Sequence, residues 1–201
     1  MAAEKLFRAT LQTAGKFDCV VSTRIYRPTI DRPHFFLTYA TKDKAGLATF
    51  RDIEYKALKQ QAADRATAME RKREAQSGSA DMFAGMDAAI RTEGVDEFVA
   101  REKAKAETYI VGLLEEKGGE ICFASVWFAV LQDFVLRVTN VKDVCVALAK
   151  AGKIESTWGK GNAKPKDETP IRLVTWVANT VNNFARFFLE TRYAWTSSCS
   201  D

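Results

Sequence analysis

The chain has little of what most enzymes build a reactive centre from. Its 201 residues hold one histidine, His34, and four cysteines. Cys19, Cys122, Cys145 and Cys199 are scattered, with no CxxC pair, so a zinc site is not expected. No glycine-rich phosphate or dinucleotide loop occurs. No nucleophile, base and orienting group can be assembled. His34 follows Pro33 at a strand start and reads as a packing or surface side chain. Asp31 and Asp52 lie near it in sequence without completing a set. No catalytic residue, metal or cofactor is therefore expected. No apolar run is long enough to cross a membrane, and Met1 to Arg8 lacks the apolar stretch of a signal peptide. Unpaired cysteines fit a reducing compartment, so a cytoplasmic location is expected, with Cys122 and Cys145 buried on apolar faces.

A hydrophobic share of 47% is enough for a core. The net charge of +4 permits a nucleic-acid partner without requiring one. The most informative stretch runs from Ile121 to Val174. Ala124 to Phe134 carries Val126, Trp127, Val130, Leu131 and Phe134 on one helical face. Asn140, with Asp143 three residues on, predicts the cap of a second helix over Val141 to Lys150, which Gly152 ends. Ile154 to Trp158 and Pro170 to Val174 predict two strands, joined by a flexible turn, Gly159 to Thr169, rich in Gly, Pro and Lys. Val95 to Lys117, stopped by Gly118-Gly119, supplies a helix in front of these.

Helix, helix, helix, strand, basic loop, strand is the order of a winged helix-turn-helix. Lys142 falls where such a motif meets a major groove. Lys150, Lys160, Lys164, Lys166 and Arg172 would neutralise phosphates, and Trp158 would stack or wedge. The second helix is poor in Arg, Asn and Gln, so low sequence specificity is expected. Such modules also bind proteins, and lysine-rich loops are often merely solvated.

The other segments are simpler. Glu4 to Ala14 predicts a short helix closed by Gly15. Phe17 to Tyr26 and Pro33 to Thr41 predict an antiparallel hairpin. The second strand is apolar on both faces, which places it inside a sheet. Nothing in the sequence supplies its other neighbour. The segment reads as the end of an α/β sheet whose first part is missing or comes from a partner. Phe35, Leu37 and Tyr39 would then meet that partner. Leu47 to Glu74 predicts a long helix, exposed beyond Gln60, with Arg65, Arg71, Lys72 and Arg73 as an alternative phosphate-tracking ridge. Ser77-Gly78-Ser79 breaks it, and Asp87 to Gly94 is a weak helix or a loop. Thr175 to Trp195 is aromatic and helical in spacing. Its Phe184 and Phe188 are further candidates for partner contact.

His34 to Thr41 (HFFLTYAT), Gly46-Leu47, Phe50-Arg51-Asp52, Met69 to Arg73 (MERKR) and Asp81-Met82-Phe83 together resemble the three-Cys-motif partner (TcmP) family over roughly Leu6 to Val174. The resemblance implies a class I methyltransferase-like α/β region that ends in a strand reversal, followed by a linker and a winged helix. The methyl-donor half of such a region, with its glycine-rich loop and ribose-binding acid, is not in this sequence, and no residue of that site is carried over. The tail after Val174 does not resemble the family. The expected fold is therefore α+β. A helix-plus-hairpin remnant (1–52) is followed by a linker helix and loop (53–94), a winged helix-turn-helix (95–174) and an aromatic tail (175–201). The expected function is non-enzymatic nucleic-acid binding through phosphates. The alternative is a protein-interaction module that docks the missing half or a three-Cys-motif protein through the sheet and tail.

Overall fold

The computed structural model describes residues 2–30, 32–79, 86–159 and 163–174. The order is α1 (Ala2–Gly15), β1 (Cys19–Tyr26), β2 (Pro33–Thr41), α2 (Lys44–Ser77), α3 (Met86–Glu116), β3 (Glu120–Cys122), α4 (Phe123–Asp133), α5 (Val138–Lys150) and β4 (Pro170–Arg172). Helices with two small antiparallel sheets, β1-β2 and β3-β4, make the chain α+β, as its patterning predicts.

Helix α1 ends in a left-handed turn, but the left-handed residue is Lys16 (φ 49°). The Phe17 N–H then returns to the Gln12 carbonyl at 3.1 Å, closing the helix end. Gly15 serves another purpose. The Phe17 ring folds over it, and a Cβ there would stand 2.2 Å from a ring carbon.

The hairpin forms as predicted, pairing Cys19 with Thr41 and Ile25 with Phe35. The expectation that β2 lies inside a sheet is corrected. Among the described residues its only neighbour is β1, and Phe35, Phe36 and Leu37 are exposed.

Helix α2 is capped by Asp43, whose side chain accepts from the Ala45 N–H, and it ends at Gly78 (φ 70°). It runs unbroken through Asp52-Ile53, as α3 runs through Gly94-Val95. The weak helix or loop expected at Asp87 to Gly94 is thus the first part of α3. Nor is the second half of α2 a bare linker. Ala66 and Glu70 are buried there, and in the first half Tyr55 and Lys59 already bond to Asp96 of α3 at 2.9 Å each. Arg65 donates to the carbonyls of Arg27 and Ile30, which ties it to the hairpin rather than to a phosphate ridge.

The main core lies among α3, α4, α5 and the second sheet. Ile110, Leu114, Phe123, Val126, Val130, Leu131, Leu148, Ile154 and Ile171 are fully buried there. Gly118 and Gly119 turn the chain at positive φ from α3 into β3, a strand that sequence periodicity does not reveal in three residues. One buried arginine joins the two parts of the molecule. Arg51 of α2 donates Nε and Nη2 to the Leu131 carbonyl of α4 at 2.8 and 2.7 Å. Carbonyls in the last turn of a helix lack partners within it, and a cation suits that end of the dipole. Arg51 also pairs with Glu54 at 2.6 Å, while the second Glu54 oxygen has no hydrogen bond among the described residues.

Candidate nucleic-acid interface

The candidate surface is built on α5 and the segment that follows it. Helix α5 begins three residues earlier than its capping signals suggest. Arg137 is its N-cap, and Asn140 sits at the third helical position, where its Oδ1 accepts the Arg137 N–H at 3.0 Å. The cap is therefore shifted and one-sided: the Asn140 side chain caps back onto Arg137, while the Asn140 N–H is met by the Arg137 backbone carbonyl, since a guanidinium cannot accept. Arg137 also stacks its guanidinium on Tyr55 of α2, 4.1 Å from the ring centroid.

The shift frees Asp143 from a capping role, and it becomes the centre of an ion triad. Its Oδ1 lies 2.6 Å from Lys164 Nζ, and its Oδ2 lies 3.4 Å from Lys103 Nζ on α3. Partial burial pushes the Asp143 carboxyl up. The hydrogen bond and charge of Lys164, with the charge of Lys103, outweigh this and hold it below the usual carboxylate range.

The described part of the basic loop from 163 to 169 is tethered to α4 rather than a free turn. The carbonyls of Asp167 and Thr169 accept the Ala124 and Phe123 N–H groups at 3.0 and 2.8 Å. These are orphan donors at the start of α4, so the loop serves as that helix's cap. The Asp167 side chain accepts from Trp127 Nε1 at 3.1 Å, and Pro165 is buried. The strand expected at Ile154 to Trp158 reduces to one bridge, Ile154 with Leu173, flanked by two bonds, from the Glu155 N–H to the Arg172 carbonyl and from the Val174 N–H to the Lys153 carbonyl. Beyond Glu155 the chain leaves the sheet, since Thr157 turns its hydroxyl onto the Pro170 carbonyl.

The predicted phosphate-binding residues separate into two groups. Lys164 is held by Asp143, and Arg172 is paired with Glu120 at 2.9 Å. Lys142 lies over the Phe123 ring, 5.8 Å from its centroid. Lys150 and Lys166 are exposed and carry no ion pair among the described residues. The same holds for Lys153, which sequence reading passes over as part of a turn. Lys160 lies outside the described residues. Trp158 is half-buried against the core, and with Val146, Ala149 and Lys150 it lines a groove of about 680 Å³.

Of the predicted partner-binding residues, Phe35 (51% exposed) and Leu37 (49%) stand free. Tyr39 does not. It stacks on Phe50 of α2 with ring centroids 4.7 Å apart and planes 5° apart, so it belongs to the core. Phe184 and Phe188 lie outside the described residues.

Cys145 is buried as expected, and burial pushes its thiol up to about 12. Cys122 is exposed, contrary to expectation, because it is the N-cap of α4 rather than part of its apolar face. Hydrogen bonding to Ser125 holds its thiol below the ordinary value, with a smaller contribution from the charge of Lys44. Among the described residues no group of His, Cys, Asp and Glu could hold a metal ion, and no helix is long and apolar enough to cross a membrane.

Comparison with protein-family models, with curated proteins and with solved structures finds no match.

Proposed function

We propose that the C-terminal part of this chain is a winged helix-turn-helix that binds nucleic acid mainly through phosphates. In this reading the chain is a non-enzymatic portion of a cytoplasmic protein resembling the three-Cys-motif partner family. One observation carries the reading. From Val138 to Val174 the sequence has seven Lys and Arg against four Asp and Glu, which is three of the chain's four net positive charges. Apart from Lys160, outside the described residues, these cations lie on the elements that would face a duplex in a motif ordered α3, β3, α4, α5, Ile154 bridge, β4. Lys150, Lys153 and Lys166 make the phosphate contacts, and Lys142 contributes from the first half of α5. The tethered loop leaves Lys164 and Arg172 lesser roles. With few base-reading side chains on α5, sequence preference is low.

The test is a salt series with random-sequence duplex DNA. Binding at low salt is expected to weaken linearly on a log–log plot. The triple variant Lys150→Ala, Lys153→Ala, Lys166→Ala is expected to flatten the slope by about 0.9 per lysine removed. Absence of binding at low salt, or an unchanged slope, refutes the reading.

A second reading is favoured by the hairpin. Strand β2 has an apolar, exposed N-terminal half and an outer edge without a neighbour among the described residues. Such an edge accepts a further strand. The partner would be a missing methyltransferase-like half or a three-Cys-motif protein. A monomer by light scattering whose β2 amides resist hydrogen exchange would count against this.

A further inference from the structure

We infer that the groove beside Trp158 is a binding site for an unpaired nucleobase, so that the module takes single-stranded nucleic acid in preference to closed duplex. This rests on the nucleic-acid reading and narrows it. The groove lies between the C-terminal half of α5 and the segment after Ile154, and Val146, Ala149, Ser156 and Ala163 line it with Trp158 and Lys150. Its volume of about 680 Å³ exceeds that of a base. The lining combines apolar side chains, one aromatic ring and one cation, which suits a flat base joined to an anionic backbone.

The position of the cations singles out this end of the surface. At the first half of α5, where a duplex would sit, Asp143 holds Lys103 and Lys164, and Lys142 lies over Phe123. At the second half, Lys150 and Lys153 are exposed and carry no ion pair among the described residues. Lys150 lines the groove together with Trp158, so an accessible cation and the aromatic side chain meet there. A base within a duplex has both faces covered by its neighbours. Trp158 can stack only on one that is unpaired. Among the described lining residues the Ser156 and Thr157 hydroxyls are donated to the Gly159 and Pro170 carbonyls, which leaves few groups to read base edges, so the site accepts any base.

The experiment compares the full chain with Trp158→Leu and Trp158→Phe. Leucine keeps apolar packing without an aromatic face, and phenylalanine keeps the face. The probes are dT12, rU12 and relaxed circular duplex DNA, which has no ends or unpaired bases. The leucine variant is expected to lose at least about fivefold affinity for single strands. The phenylalanine variant is expected to stay near the parent, and the circle is expected to bind all three proteins alike. A loss on dT12, on rU12 or on both supports the site and names the polynucleotide. Leucine binding single strands as tightly as tryptophan overturns the inference, and so does an equal loss on the circle. If the parent binds the circle but no single strand, this inference alone fails. If it binds none of the probes, the nucleic-acid reading fails with it.

Discussion

The two small sheets of this chain differ in what surrounds them. β3 and β4 are three residues each, yet Ile171 and the bridging Ile154 are fully buried, because α3, α4 and α5 close over them. β1 and β2 are eight and nine residues long and pair along nearly their whole length, yet Phe35, Phe36 and Leu37 face water. Strand length and hydrogen bonding do not make a folded unit. A covered apolar face does, since burial of apolar surface is the dominant favourable term. The C-terminal helices provide such a cover. Among the described residues the hairpin has one where α1, α2 and α4 reach it, around Cys19, Val21 and Tyr39.

The largest contrast between the two regions is expected from thiol chemistry. Cys145 lies in the closed core and Cys19 at the foot of the hairpin. Burial raises both thiols, that of Cys145 to about 12, whereas Cys122 at the helix cap is lowered. Among the three cysteines of the described residues, alkylation at pH 8 followed by peptide mapping should modify Cys122 first, then Cys19, and Cys145 last, slowed by about a thousandfold or more relative to a free thiol. Cys19 outlasting Cys145 would mean that the hairpin is the better-protected region. The linked pH effect has a definite sign. Both buried thiols hold their protons more tightly folded than unfolded, so their contribution is complete below the ordinary thiol range. It is lost as pH rises toward about 12.

Truncation should separate the regions next. Phe123→Ala removes a fully buried ring and is expected to cost about 3–5 kcal/mol in urea unfolding. Phe35→Ser on β2 is expected to change stability by no more than about 0.5 kcal/mol. A comparable cost for the serine variant would show that β2 is covered after all.

The joint between the regions is the third test. Arg51→Ala leaves Glu54 buried without its partner and the Leu131 carbonyl unpaired, with an expected cost of about 3 kcal/mol. Arg51→Met with Glu54→Leu removes both charges and should recover much of that. A cost under about 1 kcal/mol for the single variant would mean that the hairpin and helices are held together by other contacts.

The smallest effect concerns the ion triad. Asp143→Asn should change stability by less than about 1 kcal/mol, because the carboxylate is substantially exposed. It frees Lys103 and Lys164, and duplex binding at low salt should tighten and its salt slope steepen. Weaker binding would place Asp143 in the interface as a contact rather than beside it as a competitor.

Sequence alone determined much of this protein. The spacing of Val126, Val130 and Leu131, and of Val144, Cys145 and Leu148, defined two helices. Gly118-Gly119 and Gly152 marked their surroundings, because helical periodicity and positive-φ turns are local properties. It also determined the charge and the hairpin. Tertiary structure decided the rest. β2 reads as an interior strand, and only its neighbours show it at an edge. Asp143 reads as a cap until Lys103 and Lys164, distant in sequence, claim it. The loop reads as flexible until Asp167 and Thr169 cap α4. Nothing in the spacing around Arg51 marks it as buried, and the Leu131 carbonyl, eighty residues away, accepts it. Which polar group satisfies which is a question of three-dimensional proximity. The division of the lysines into held and accessible, on which the proposed site rests, was therefore not written in their spacing.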